Sequence, residues 1–360
     1  MYTFRTLKLE DLPQIYHLIQ EAGLNLHSSE DHWTALKKWS FFDSPLYHSD
    51  LPAGHIMLAN DEIIGFVGYS YRKLKRTNKI VPAVILSDYA IHPKHRGMAG
   101  LLLCRKSIET FDKKNLCHDI VALHHSEAAG KIWKSFGAVA LPGTNRTYSA
   151  LLSLTKFIVA RYPLLKPCSP LFNLKILQSI LCPYLRKKGK KLFLASQRGQ
   201  IQIIPFEFNQ ANELLLDELL LRFEACYEIG LYRDRAYLNW RYRTHPFCQN
   251  YYWYSLMVKE KLRAVFILME SKNHNIYLCD FIFDPKEHSL LNDFMVALIK
   301  TSLNLGGFSF YTKIVCKSIR DVFDSLNLYV EEKSYNQFWI YPQLKVSDNI
   351  LFTMGDFKED

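Results

Sequence analysis

Two stretches of this chain spell the same strand and the same exit from it, 192 residues apart. The first reads ILSDYAIHPKHR from Ile85 to Arg96, and the second reads IYLCDFIFDPKEH from Ile276 to His288. Leu86, Asp88, Tyr89, Ile91, Pro93 and Lys94 match Leu278, Asp280, Phe281, Phe283, Pro285 and Lys286 at one constant offset. Each block follows a hairpin pattern and precedes an amphipathic helix pattern. Six positions in register with the same neighbours indicate one folding unit written twice. Further on, Trp133 and Gly137 correspond to Phe323 and Asn327 at an offset of 190, with Asn serving as a left-handed helix stop. A chain of 360 residues has room for two such units.

Hydrophobic periodicity sets the elements of the first unit. Thr3 to Leu9 reads as a strand. Asp11 and Gln14 make a capping-box start for a helix with Leu12, Ile15, Ile19 and Ala22 on one face. Trp33 to Phe42 predicts a second short helix, stopped by Asp43, Ser44 and Pro45. His55 to Ala59 and Ile63 to Tyr71 flank Asn60-Asp61, which is hairpin turn chemistry. Val81 to Ile91 predicts a longer strand, followed by a helix carrying Leu101, Cys104, Ile108 and Phe111. Asp119 to His124 is a further strand, and Ser126 caps a helix with Ala129, Ile132, Trp133 and Phe136 that stops at Gly137. In the second unit the matching helix stripe is Leu291, Phe294, Leu298 and Leu305.

Between the units, residues 151–199 differ in character: prolines punctuate short apolar runs, and Arg186, Lys187, Lys188, Lys190 and Lys191 cluster near the end. They read as a helical basic linker. The basic run is a solvated face in the simpler reading, and a membrane-surface or polyanion contact in the other. The net charge of +10 favours anionic partners such as coenzyme phosphates, with a solvated basic surface as the plain alternative. No specific nucleic-acid motif accompanies it. The eight cysteines are scattered, without a CxxC pair or zinc spacing, so no structural metal is expected and a cytoplasmic location is. The opening MYTFRTLKLED lacks the apolar run of a signal peptide. No stretch of about 18 apolar residues is free of charge and proline, so no membrane span is expected.

The residues that carry chemistry follow the first repeat block. Lys94-His95-Arg96-Gly97-Met98-Ala99-Gly100-Leu101 joins a strand to a helix, and its small residues let the backbone approach a ligand and point its N–H groups together. At a helix N-terminus those donors and the helix dipole form a phosphate site, with Arg96 adding charge. A Gly-rich turn with no ligand is the other reading. The second copy has Glu287-His288-Ser289-Leu290 there, with no glycine and an added acid, so no phosphate site is expected in it.

In these features the chain resembles the Gcn5-related N-acetyltransferase (GNAT) superfamily. Its hallmark is a strand ending in hydrophobic-x-Pro, then Arg/Gln-x-x-Gly-x-Gly/Ala and a helix, and Ile91-His92-Pro93 with Arg96 to Leu101 occupy that pattern. The resemblance implies an α/β fold with mixed sheets: residues 1–150 form a GNAT domain with the coenzyme loop, and 200–345 a second GNAT-like domain without it. The linker and a tail, 346–360, complete the chain. It implies that acetyl-CoA is the co-substrate, held by Arg96, Gly97, Met98, Ala99, Gly100 and Leu101. The strand backbone of Tyr89, Ala90 and Ile91 would pair with the pantetheine arm, and Ser126 is counted with this set. Ala99 and Leu101 depart from the pattern's Gly and Gly/Ala.

Asp88 is the acid on this strand and the candidate base, with a structural strand Asp as the other reading. His92 or His95 could relay protons. The family's frequent Tyr acid falls on Trp133, leaving Ser126, Tyr148 or solvent to protonate the thiolate. Tyr237 to Tyr242, with His245-Pro246, and the tail Phe352 to Asp356 resemble segments of two-domain acetyltransferases from bacterial surface-polysaccharide gene clusters. Trp240 and Tyr242 are read as a core cluster, with sugar or base stacking as the alternative. The expected activity is N-acetylation of a primary amine, an amino sugar or other small amine. The alternatives are an aminoacyl or longer-acyl transferase, and a non-catalytic acyl-CoA sensor or scaffold. Oligomeric state is left open.

Overall fold

The computed structural model describes residues 1–23, 29–114, 117, 119–124, 127–152, 201–271, 273–307, 309–313, 316–325, 328–332, 337–342, 350–353 and 356. Nearly all of the proposed linker, and Ser126, lie outside the described residues. In the first half the elements are β1 (Tyr2–Thr6), α1 (Leu12–Glu21), α2 (Glu30–Lys37), β2 (Gly54–Ala59), β3 (Glu62–Arg76) and β4 (Lys79–Ile91). They continue with α3 (Met98–Lys114), β5 (Asp119–His124), α4 (Glu127–Ser135), β6 (Val139–Ala140) and β7 (Arg146–Leu151). The second half has β8 (Ile201–Pro205), α5 (Gln210–Phe223), β9 (Ile229–Leu231), α6 (Arg235–Leu238), β10 (Tyr251–Val258), β11 (Lys261–Glu270) and β12 (Asn275–Phe283). Then follow α7 (Leu291–Asn304), β13 (Ser309–Thr312), α8 (Lys317–Ser325), β14 (Tyr329–Glu332), β15 (Gln337–Tyr341) and β16 (Ile350–Leu351). No helix among the described residues is long and apolar enough to cross a membrane.

Local chemistry accounts for most of these bounds. Asn60 and Asp61 both take left-handed backbone, φ 51° and 65°, which joins β2 to β3 by a tight turn that Asn and Asp tolerate. Lys259 and Glu260 make the matching turn between β10 and β11 with φ 48° and 63°. Two expectations need correction. The Asp11 side chain does not cap α1; its carboxylate accepts from the Arg5 guanidinium at 2.7 Å and the Lys8 N–H at 2.8 Å, tying β1 to the helix entrance. The helix expected over Trp33 to Phe42 begins at Glu30 and ends at Lys37, giving way to one wide π turn, Lys38–Phe42.

The two sheets share one strand order and exchange one strand each. The first runs β1-β2-β3-β4-β5-β15-β6 and the second β8-β10-β11-β12-β13-β7-β14. The chain-wise division at 150 and 345 is therefore crossed by the sheets, at β7, β9, β15 and β16. Strand β15, from the end of the second half, lies between β5 and β6 (Gln337↔His124, Trp339↔Ala140). Strand β7, from the end of the first half, lies between β13 and β14 (Phe310↔Ala150, Val330↔Tyr148). In addition β9 pairs with the outer end of β3 (Leu74↔Leu231), and β16 pairs with β9. The cores draw on both halves of the sequence: Phe338, Ile340, Ile350 and Phe352 pack with Leu74, Ile85 and Val121, and Tyr148 and Leu152 join the core of the second sheet.

A second repeat, not recognised in the sequence, sits at the junction. Trp39-Ser40-Phe41 with Pro45 corresponds to Trp240-Arg241-Tyr242 with Pro246 at an offset of 201, and both tryptophans lie in π turns, Lys38–Phe42 and Asn239–Arg243. The two indoles stack, 4.4 Å between centroids and 11° between planes. Arg72 covers Trp240 at 4.8 Å and Arg241 covers Trp39 at 5.2 Å. The result is a cation–ring–ring–cation stack holding the halves together. Phe41, from the first turn, fills the space over Gly68, where an added Cβ would fall 2.1 Å from its Cζ. Gly68→Ala is expected to displace that ring and cost about 1–3 kcal/mol, read as a lower urea midpoint.

Candidate functional site

Strands β4 and β5 run parallel, paired from Ala83↔Asp119 to Leu86↔Ala122, and there the pairing ends. At that point β4 carries a bulge. Its register against β3 passes from Gly68↔Ser87 to Phe66↔Ala90, and Asp88 takes φ 53°. The bulge twists β4 away from its parallel neighbour, so Ser87, Ala90 and Ile91 stay paired to β3 while the stretch from Ser87 to Ile91 parts from β5. An opening at the carboxyl ends of parallel strands is the usual seat of a ligand in such sheets.

The glycine loop stands beside this opening. Gly97 has φ 96° with nothing within 4 Å of an added Cβ, a conformation that favours glycine. Next comes the N-terminus of α3, 17 residues long, without an acid in its first turn. Ala99 is buried and Leu101 half-buried, so the two departures from the family pattern face inward at least in part, and Met98 is exposed. Gly100 is needed for closeness: a Cβ there would meet the Tyr89 hydroxyl at 2.8 Å. That hydroxyl donates to the Gly100 carbonyl, and burial raises its pKa. Tyr89 thus binds strand to helix with its side chain, while Ala90 packs toward α1 and Ile91 toward α3. Arg96 donates to the Ala22 carbonyl at 2.6 Å, anchoring the loop on the end of α1. His92 lies 3.5 Å from Glu21, and the His95 ring meets Tyr2 edge-on, so both histidines tie the loop to β1 and α1.

Asp88 is joined to a residue that sequence reasoning missed. The Lys37 ammonium lies 2.7 Å from its Oδ2, with the Lys37 side chain 6% exposed and that of Asp88 25%. Beside them, the buried hydroxyls of Ser87 and Thr34 have no hydrogen-bond partner among the described residues. Trp133 is buried in the core under α3. Tyr148 is corrected as an acid candidate, because β7 carries it into the second sheet, where it packs 5.1 Å from Phe323. Trp240 and Tyr242 are buried, which excludes ring-face stacking on a ligand.

In the second half, β12 and β13 likewise stop pairing after Leu278↔Thr312, with Cys279 as the extra residue of a bulge. Here the position of Asp88 is held by Asp280 inside a closed network. Arg233 lies between Asp280, at 3.2 Å, and Asp356, at 2.5 Å. Tyr242 donates to Asp280 at 2.6 Å, and Tyr237 and the Thr353 N–H donate to Asp356 at 2.8 Å each. Burial raises the Asp280 pKa against the opposing charge of Arg233. Glu287, in place of the loop, is paired with Arg263 at 3.2 Å. A separate cavity of about 370 Å³ lies between β1, the Tyr47–Ala53 loop and α3, lined by Arg5, His55, Lys106 and Thr110. It is further along α3 than the glycine loop and touches none of these groups.

No protein-family model matches the sequence, and no curated protein matches it. Solved structures do. N-myristoyltransferase of Saccharomyces cerevisiae with bound myristoyl-CoA superposes with a TM-score of 0.58 at 11% identity, over 94% of this chain and 78% of that one. A GCN5-related N-acetyltransferase from Kribbella flavida gives 0.57 at 10%, over 94% and 70%. A conserved protein of unknown function from Enterococcus faecalis V583, described as a probable N-acyltransferase, gives 0.56 at 10%, over 94% and 72%. The chain has the fold of the Gcn5-related N-acyltransferases, in tandem.

Proposed function

We propose that the first half binds an acyl-coenzyme A thioester and transfers its acyl group to a primary amine. What carries this reading is the conjunction found in one half only: a bulged β4 parting from β5 beside a glycine loop at the start of α3. The amides at that helix start, with Arg96 close by, would hold the pyrophosphate. The edge of β4 from Tyr89 to Ile91 would pair with the pantetheine arm. The amine attacks the thioester carbonyl, its proton passes to Asp88 or to a water beside it, and the coenzyme leaves as thiolate. With Trp133 in the core and Tyr148 in the other sheet, Ser126 or solvent supplies the proton to sulfur. Acetyl is the proposed acyl group, and a small amine such as an amino sugar the acceptor. The myristoyl-CoA carried by one structural neighbour makes longer chains the comparison worth running. We place the reaction in the cytoplasm, in keeping with Cys104, Cys117, Cys226 and Cys248 being thiols rather than disulfides.

Acetyl-coenzyme A at a hundred times its dissociation constant is expected to stabilise the protein by about 2.7 kcal/mol, seen as a rise in melting temperature. Arg96→Glu should remove that rise, whereas Arg96→Gln, which keeps a donor for the Ala22 carbonyl, should retain most of it. If no acyl-coenzyme A shifts the melting temperature, the reading fails. A far larger rise with a longer acyl chain would reassign the donor.

A further inference from the structure

The amine nearest to the proposed base belongs to the protein itself. Lys37 Nζ is 2.7 Å from Asp88 Oδ2, with the Trp33 ring centroid at 5.9 Å and that of Phe41 at 5.8 Å. Two aromatic rings and a carboxylate are a recognition set for a primary ammonium. Asp88 lies on the stretch of β4 that has parted from β5, next to the strand edge proposed for the donor. The resting ion pair therefore reproduces the contact that an acceptor ammonium would make with this base. We propose that Lys37 is an internal acceptor, and that the protein transfers an acyl group from bound acyl-coenzyme A to Lys37 Nζ when no external amine is present. This rests on the donor reading above.

The step balances without a further reactant. Asp88 takes one proton from the ammonium, and the neutral Nζ attacks the thioester carbonyl carbon. The N–C bond forms and the C–S bond breaks; the nitrogen loses its second proton to the departing thiolate. The products are N-acyl-lysine, free coenzyme A and one proton, which passes from Asp88 to water. Holding amine and carboxylate in one place removes the entropic cost of bringing an acceptor in. Acylation removes the Lys37 charge, and Asp88 is then released to meet an external amine.

The test is intact-mass analysis and peptide mapping of the full chain incubated with acetyl-coenzyme A and no acceptor. The expected result is a gain of one acetyl group at Lys37, at least about tenfold faster than at any surface lysine. Lys37→Arg keeps the charge pair and should lose the gain; Asp88→Asn keeps the lysine and should lose it too. Equal acetylation of Lys37 in wild type and Asp88→Asn would mean uncatalysed chemistry and overturn the proposal. So would a Lys37 left unmodified by acetyl-coenzyme A alone in a protein that turns over an external amine when one is added, and in that case the functional reading stands. Absence of any coenzyme binding is a different outcome: it removes the functional reading and this proposal with it.

Discussion

Arg233→Met is expected to destabilise the protein by about 3–5 kcal/mol, the cost of breaking a buried ion network by removing one partner. The substitution leaves Asp280 and Asp356 buried together, with both side chains fully shielded from solvent. Burial already holds Asp280 above the ordinary carboxylate range with Arg233 opposing it, so removing the guanidinium raises it further. The sign follows from linkage. A carboxyl whose folded pKa is raised contributes stability that is present below its unfolded value and lost as pH rises through the folded value. The deficit of Arg233→Met relative to wild type should therefore shrink as pH falls from neutral toward the unfolded carboxylate range, measured as urea midpoints. A deficit independent of pH would remove the electrostatic account and leave lost packing. Adding Asp280→Asn and Asp356→Asn to Arg233→Met should recover part of the loss, because no buried charge is then left unpaired.

Asp88→Asn should lower turnover of an amine by about 10²- to 10⁴-fold, the range for removing a positioned general base. Asparagine suits this test because it tolerates the left-handed backbone that Asp88 adopts at φ 53°, so the bulge is preserved. Donor binding should survive, and the melting-temperature rise with acetyl-coenzyme A should stay close to wild type. The paired measurement separates chemistry from the fold. Turnover within about tenfold of wild type would take the base role from Asp88 and give it to solvent.

Much of the framework was legible before the structure. The block around Asp88 and its copy around Asp280 announce a duplicated unit, and both carry the bulge where their parallel strands part. Asn60-Asp61 marked its hairpin, and Gly97 marked the left-handed entry to α3. The tryptophan repeat escaped notice because its offset is 201 rather than 192 and only a few positions match. Lys37 escaped for another reason. It lies 51 residues before Asp88 on a short helix, and nothing local in the sequence distinguishes a buried lysine from a solvated one. The strand exchange was invisible because β7 and β15 hold equivalent positions in the two sheets, and strand propensity does not say which sheet will take a strand.

That exchange sets the order in which the protein can be finished on the ribosome. The opening between β5 and β6 is closed by Gln337–Tyr341, about 190 residues after Leu151, where the first half ends. At roughly 5–20 residues per second the nascent chain carries that unfilled gap for on the order of 10–40 s. During this interval two strand edges stand exposed to any other extended segment. Neither half is a complete heritable module either: a gene fragment encoding one of them would code for a sheet missing an inner strand and for a strand without its sheet.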